Sequence, residues 1–346
     1  MTSAKTDTTF STETLVNDVL TTIERERERE IVAKRFGLFD RKETLEQIGD
    51  SLGITRERVR QLEKSVVSRL KQTAEQGSLP HIASFETAVL AKLSEVGNTS
   101  RITMLTDMLV SSTDREEQSR VAFLAELSPN LVTISEDDNY HPSVADKSVF
   151  DEKSIKANVQ KIIDAITKFG EPKKIDAVAK SAGITDSKQA SALAGISKKL
   201  ASLNSHWGLI KWPMVNPKNI RDKIYVILKE NGKHMHFNEI AAAIKESDFK
   251  RKDVTTQAIH NELIKDKRFV LIGRGIYALK EWGYEKGTVA DIITDVLKDA
   301  KQPLHRDEIV KRVLESRFVK ETTILLNLQG KPQFKRVAKA TYELAE

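Results

Sequence analysis

Apolar residues recur at helical spacing from Glu13 onward, placing Leu15, Val19, Leu20 and Ile23 on one stripe. The run Glu24–Glu30 then alternates glutamate and arginine, with opposite charges three residues apart that can pair on an exposed helix face. Ile31, Val32 and Phe36 continue the stripe, and Gly37 ends it as a glycine just past a helix C-terminus does. A single helix from Glu13 to Phe36 is therefore expected. Thr44 and Gln47 then have the spacing of a capping box. Leu45, Ile48 and Leu52 form the buried face of a short helix in which Gly49 allows a second helix to come close. Gly53 supplies a left-handed residue for a tight turn. Thr55 caps a second helix that buries Val59, Leu62 and Val66 and exposes Arg56, Arg58, Arg60, Gln61 and Lys64.

Beyond residue 78 the pattern repeats. Ile227-Leu-Lys answers Val296-Leu-Lys, Met235-His-Phe-Asn-Glu-Ile answers Leu304-His-Arg-Asp-Glu-Ile, and Glu246-Ser-Asp-Phe answers Glu315-Ser-Arg-Phe, all at one offset of 69 residues. Phe269, Tyr277 and Leu279 answer Phe334, Tyr342 and Leu344 at an offset of 65. More faintly, Thr103, Asp176, Asn238 and Asp307 occupy equivalent places and read as helix N-caps. Each unit reads as helix, turn, capped helix, helix and two short strands, which is a winged helix. In the third, Phe269–Leu279 reads as an apolar strand, a Gly-containing turn and a return strand; Trp207–Trp212 and Leu131–Ile134 stand in the corresponding places upstream. The expected fold is mainly α. A leader over 1–12 without regular structure precedes a helix-turn-helix over 13–78. Four winged helices follow over 79–145, 146–215, 216–284 and 285–346.

Charge refines this picture. Of the 346 residues, 1–77 contain 14 basic and 14 acidic, 78–150 contain 5 and 11, and 151–346 contain 37 and 25. The N-terminal unit is neutral overall, yet residues 55–71 hold six basic residues against two acidic ones. That local excess faces outward on one helix and suits a polyanion. The first wing is followed by Glu136-Asp-Asp138, which repels phosphate, so its unit is expected to contact protein or act as a spacer. The chain has no cysteine, which excludes disulfides and thiolate zinc sites. It shows no secretory leader and no apolar run long enough to span a bilayer, so a cytoplasmic, nucleoid-associated protein is expected.

Arg27–Leu38, Thr44–Gly49 and Leu52–Glu63 together resemble region 4 of the sigma-70 family. The resemblance implies that Arg56, Glu57 and Gln61 face bases of a promoter −35 element. It implies that Thr44, Arg58, Arg60 and Lys64 hold phosphates, and that the unit contacts the β flap of RNA polymerase. Only about a dozen residues precede the helices of this unit, which begin at Glu13, so the aromatic-rich domain with which sigma factors melt DNA is expected to be missing. His236-Phe-Asn-Glu-Ile240, with Asp266–Phe269 and Gly273–Leu279, resembles the HARE-HTH family, which includes the N-terminal domain of the RNA polymerase delta subunit. Arg274 at that wing tip is a candidate DNA contact, or simply part of a soluble turn. The last unit has Val337-Ala-Lys-Ala in place of Gly-Arg-Gly, which puts a DNA role for its wing in doubt.

Signals for catalysis are poor. There is no phosphate-binding loop and no nucleophile elbow, and His234 and His236 have no cysteine or carboxylate cluster beside them. No catalytic residue, metal, cofactor or small-molecule substrate is expected. The reading that follows is a sequence-specific transcription factor of sigma-like type whose partners are double-stranded promoter DNA and RNA polymerase. Two others remain open: a delta-like polymerase subunit acting through protein contacts, and the DNA-recognition part of a defence or restriction system.

Overall fold

The computed structural model describes residues 11–249, 251, 253–284 and 287–345. The chain is mainly helical with small antiparallel sheets, and divides into two compact units on either side of the Ile210–Lys211 bond. The first unit opens with four helices: α1 (Thr12–Thr21), α2 (Glu26–Phe36), α3 (Leu45–Leu52) and α4 (Arg56–Glu75). A first repeat follows: α5 (Ile82–Val96), β1 (Thr99–Arg101), α6 (Ile102–Val110), α7 (Arg115–Leu127), β2 (Leu131–Ile134) and β3 (Ser143–Asp146). The second comprises α8 (Glu152–Phe169), β4 (Lys173–Lys174), α9 (Ile175–Ala182), α10 (Ser187–Ile196), β5 (Leu200–Leu203) and β6 (His206–Leu209). The other unit holds a third repeat: α11 (Ile220–Asn231), β7 (Met235–His236), α12 (Phe237–Glu246), α13 (Thr256–Lys265), β8 (Phe269–Gly273) and β9 (Ile276–Leu279). It ends with α14 (Val289–Ala300), β10 (Leu304–His305), α15 (Arg306–Ser316), α16 (Glu321–Gly330), β11 (Phe334–Ala338) and β12 (Thr341–Leu344).

Every repeat carries the same three-stranded sheet. The last strand lies in the middle and pairs antiparallel with both others, in the orders β1-β3-β2, β4-β6-β5, β7-β9-β8 and β10-β12-β11. Sequence pattern predicts only the two hairpin strands, because the extra strand is two or three residues long and has no period to detect. That strand also moves the helix caps. Arg101, Lys174, His236 and His305 end it with ψ between 143° and 148° and lead straight into the next helix. Thr103, Asp176, Asn238 and Asp307 are equivalent as expected, but sit one residue inside each helix rather than capping it. His236 and His305 do the capping through Nδ1, which accepts the backbone N–H of Asn238 and Asp307, each at 3.3 Å.

Three other expectations are corrected. Ser11 accepts the Thr14 N–H at 3.3 Å and Thr12 is buried, so residues 11 and 12 belong to the first helix; the remainder of the leader, 1–10, lies outside the described residues. The expected helix Glu13–Phe36 is two helices. Thr21 and Thr22 donate their hydroxyls to the carbonyls of Asp18 and Val19, at 2.7 and 2.6 Å, and close α1 while Ile23 turns inward. In the second repeat the hairpin is Leu200–Leu203 with His206–Leu209, so Trp207–Leu209 supplies only its return strand.

One hydrophobic core runs from Leu15 to Val144, taking in α1, Val32 and Leu38, the C-terminal half of α4, and most of the first repeat. It crosses the expected limit between 78 and 79. Phe36 and Phe123 stack in it at 4.9 Å between ring centres. The second repeat docks on the first through main-chain bonds: His141 and Lys198 donate to Ile196 and Asn139 at 2.9 and 2.7 Å, and Tyr140 bridges Ser197. Arg101 bonds the Gly195 carbonyl and Lys198 pairs with Glu136. Burial holds the His141 imidazole below its ordinary value of 6.5, with Arg101 and Lys198 acting the same way against Glu136.

Two outcomes follow. Phe123→Ala is expected to lower the unfolding free energy by about 3–5 kcal/mol and to melt α1–α4 and the first repeat in one transition, as read by chemical denaturation followed at probes placed in both. The stability contributed by neutral His141 is complete above pH 6.5 and is lost as pH falls below it. His141→Gln should therefore flatten the acid limb of the Tm–pH curve, and an unchanged limb would assign that limb to other groups.

Candidate nucleic-acid interface

The turn between α3 and α4 is built from local signals. Thr44 accepts the Gln47 N–H at 3.2 Å while Gln47 accepts the Thr44 N–H at 2.9 Å, which closes the capping box. Gly53 ends α3 in the left-handed conformation, and Thr55 starts α4 by accepting the Arg58 N–H at 3.3 Å. A side-chain carbon at Gly49 would stand 2.7 Å from the Ile54 carbonyl, so the close helix crossing needs glycine there. The small core beneath is Ile31, Ile48 and Val59. Leu45, Leu52 and Leu62, expected inside, are only half-buried around its edge.

Helical geometry then sets the outer face. Glu57, Gln61 and Lys64 recur at i, i+4 and i+7, diametrically opposite the buried Val59, Val66 and Leu70. Arg56 and Arg58 flank this stripe, and all six of Arg56, Glu57, Arg58, Arg60, Gln61 and Lys64 are exposed. The expected base-contacting and phosphate-contacting residues of α4 thus lie on its outer side, with Thr44 apart at the start of α3, and four of them are tied together. Glu57 accepts from Arg60 Nε and Nη2 at 2.9 and 2.7 Å and from Gln61 Nε2 at 3.4 Å. Arg58 Nη1 donates to Gln61 Oε1 at 3.4 Å. The Arg60 hydrogen bonds hold the Glu57 carboxyl below the usual carboxylate range and raise the guanidinium in turn. In water such exposed pairs are weak, so they exchange readily for a ligand.

The Glu24–Glu30 run does more than decorate an exposed face. Glu28 is 5% exposed and pairs with Arg25 on its own side and with Arg69 of α4. Arg27 bonds the Leu52 carbonyl at the end of α3, and Arg35 pairs with Glu63 of α4 at 3.3 Å. Sequence reasoning saw pairs along one helix and missed these, because an alternating run looks the same whether its partners are local or on another helix. By these bonds α2 fixes the pitch at which α4 is presented.

The remaining third helices of the first unit are covered. Val121, Phe123, Leu124 and Leu127 of α7 lie in the core shared with α1 and α4, and α10, with Ala190, Leu193, Ala194 and Ile196 buried, packs against β1 of the first repeat as well as on its own repeat. In the other unit α13 exposes Gln257, Asn261 and Ile264, and α16 exposes Leu326. The acidic turn after β2 is occupied: Glu136 pairs with Lys198, and Asp137 accepts the N–H groups of Asn139 and Tyr140, each at 2.7 Å. Arg274 is exposed at the β8–β9 tip. His234 stacks on Phe318 at 4.4 Å and His236 on Phe237 at 4.4 Å. Among the described residues no group of three or more His, Cys, Asp or Glu is placed to hold a metal, and no helix is long and apolar enough to cross a membrane.

Residues 25–72, which span α2, α3 and most of α4, match the family Sigma-70, region 4. Over 48 residues the chain is 50% identical to the RNA polymerase sigma factor RpoD of Helicobacter pylori, a stretch covering 13% of this chain and 7% of that protein. It is 46% identical over 57 residues to RNA polymerase sigma factor SigA of a Bacillus species, covering 16% and 15%. It is 48% identical over 46 residues to RNA polymerase sigma factor sigB of Arabidopsis thaliana, covering 13% and 8%. The chain therefore spans no more than about a seventh of these relatives. The likeness supports a DNA-binding, transcription-related role, and it lies on the helix-turn-helix whose outer face carries Arg56, Glu57, Gln61 and Lys64.

Proposed function

We propose that this protein is a sequence-specific DNA-binding transcription factor of sigma-like type, which recognises −35-like promoter duplex through α4 and associates with RNA polymerase in initiation or its regulation. The observation that carries this reading is the outer face of α4, set after a capped tight turn in a segment that matches sigma-70 region 4. With α4 in the major groove, Gln61 addresses an adenine edge, Glu57 a cytosine amino group and Arg56 a guanine. Arg58, Arg60 and Lys64 hold the flanking phosphates, and Thr44 stands at the N-terminus of α3, where free N–H groups favour an anion. Binding exchanges the Glu57–Arg60 pair for contacts with base and backbone, at little cost for so exposed a pair.

The repeats, in this reading, are four winged helices over about 79–145, 146–215, 216–284 and 285–346, the third of HARE-HTH type. Those of the first unit bury their third helices against the preceding module, so they act as a support that holds α4 outward. That burial favours protein contact over DNA reading for this part of the array, as in a delta-like polymerase subunit. Contact with the polymerase β flap, location on the nucleoid in a bacterial cytoplasm, and the lack of catalysis or a cofactor belong to the same reading.

The test is competition between promoter and scrambled duplexes for the intact chain. Gln61→Ala and Glu57→Ala are expected to lose discrimination by roughly 5- to 150-fold, as for about 1–3 kcal/mol per good base contact. Arg58→Ala and Lys64→Ala should instead weaken both duplexes alike, and each should flatten the log–log salt slope by about one. Equal binding of both duplexes by the unaltered chain would overturn the promoter reading, as would genome-wide occupancy that avoids promoters.

A further inference from the structure

The third and fourth repeats have the same hairpin, and its two copies have opposite fates. In the third, β8 is tucked in, with Phe269, Val270 and Ile272 buried. Its tip is pinned as well. A side-chain carbon at Gly275 would lie 2.4 Å from His236 Nε2 and 3.1 Å from the Phe237 ring, and one at Gly273 would lie 3.1 Å from the Phe318 carbonyl. Gly275 also has a φ of +71°, which favours glycine, and these close approaches place the turn under other groups on either side of Arg274. The nearby Arg268 is already committed to Asp266 and Asp222, at 2.8 and 3.2 Å.

In the fourth repeat only Phe334 of β11 is buried, and Lys335 through Lys339 are all exposed. Lys335 lies across from Glu343 on one face of the ribbon, Arg336 lies on the other, and Lys339 stands at the tip beside the left-handed Ala340. Lys331 leads into the strand. From Lys331 to Thr341 there are four basic residues and no acidic one. Among the described residues none of the four makes an ion pair, although Lys335 has Glu343 opposite; Arg336 makes one hydrogen bond, from Nε to the Ala338 carbonyl at 3.2 Å. The corresponding turns of the first three repeats are acidic, neutral and singly basic: Glu136-Asp-Asp138, Asn204-Ser205 and Arg274.

We propose that the β11–β12 hairpin of the fourth repeat is a second, sequence-independent contact with duplex DNA, in which Lys335, Arg336 and Lys339 neutralise backbone phosphates. With four basic residues and no acidic one from Lys331 to Thr341, the strand and tip present a local positive field that a polyanion neutralises. Charges on both faces and at the tip match a ribbon lying against a groove edge, where phosphates line both sides. Duplex DNA is favoured over an acidic protein because the hairpin offers little apolar area, Val337 being its one large exposed apolar side chain, so charge supplies the attraction. This contact is independent of base reading by α4, and the two fail in distinguishable ways.

The experiment uses the intact chain with a labelled promoter duplex and a labelled scrambled duplex over a range of salt. The triple variant Lys335→Ala, Arg336→Ala, Lys339→Ala is expected to bind both duplexes more weakly by the same factor, roughly tenfold or more, and to flatten the salt slope by about 2–3. Promoter discrimination should be unchanged, and Arg274→Ala should leave both affinities and the slope as they were. Circular dichroism and Tm check that the hairpin still folds; Lys335→Gln, Arg336→Gln, Lys339→Gln, which retains the side-chain bulk, should give the same loss. The proposal is overturned if either triple variant, folded, keeps the parental slope on scrambled duplex. It is equally overturned if Arg274→Ala reproduces the loss, or if the triple variant loses affinity for single-stranded RNA or an acidic polypeptide while duplex binding is kept. Loss of discrimination in α4 variants alone would bear on base reading and leave this contact standing.

Discussion

The buried guanidinium of Arg120 is the constraint on which the first unit depends. The side chain comes from α7, is 6% exposed, and carries a fork of N–H donors that needs acceptors. It donates from Nε to the Leu38 carbonyl at 2.8 Å and from Nη1 to Glu117 at 2.8 Å, with Glu13 and Glu116 within 3.7 Å. Its flat face lies 5.7 Å from the centre of the Phe39 ring. Leu38 follows α2 and Glu13 lies in α1, so one cation from the first repeat satisfies a carbonyl and a carboxylate of the helical module before it. Removing Glu13 or shifting Leu38 while the docking is kept would leave that buried charge with fewer acceptors, which is costlier than losing an exposed pair. The apolar contacts around it, Phe36 on Phe123 among them, follow from the same docking.

That docking explains how four copies of one plan do different work. A third helix after a turn is equally able to enter a DNA groove or to lie in an interface, and the neighbours decide which. In α7 and α10 the outward face has been turned into packing surface. In α4 the neighbours, chiefly α2 through Arg27, Glu28 and Arg35, hold the helix from behind and leave its polar stripe bare. Hairpins diverge in the same way: the acidic turn of the first repeat pairs with Lys198, the third is fixed beneath His236 and Phe237, and the fourth stands clear.

How much of this was legible in the sequence depended on range. The Thr44–Gln47 box, the Gly37 and Gly53 stops and the Val59–Val66 stripe are encoded within a few residues, and each was readable. The candidate face of α4 was readable for the same reason, since helical spacing alone puts Glu57, Gln61 and Lys64 opposite the core. Internal offsets exposed the repeats and the equivalence of Thr103, Asp176, Asn238 and Asp307. Their capping role was misjudged because a strand of two or three residues leaves no periodic trace. Nor could spacing reveal that Glu28 faces Arg69, that α7 abandons solvent for α1, or that Gly275 lies under a histidine ring. Those facts join residues far apart in the chain, and periodicity carries no information about them.

The charge distribution acquires a physical sense only once the packing is known. The module with α4 is neutral as a whole, and several of its acidic residues face basic partners: Glu28 and Glu63 join α2 to α4, and Glu30 pairs with Lys34 along α2. Lys64 and the arginines beside it thus act from a frame whose other charges are internally balanced, and their field is local rather than diffuse. A local field adds little to long-range steering, but it matters at contact, within a Debye length of about 8 Å. The C-terminal half has the opposite design, a broad basic excess ending in a basic hairpin. A neutral frame with one charged stripe serves discrimination, and a diffuse basic surface serves residence on a polyanion. The chain separates the two along its length: the local basic excess lies on α4 and the broad one in residues 151–346.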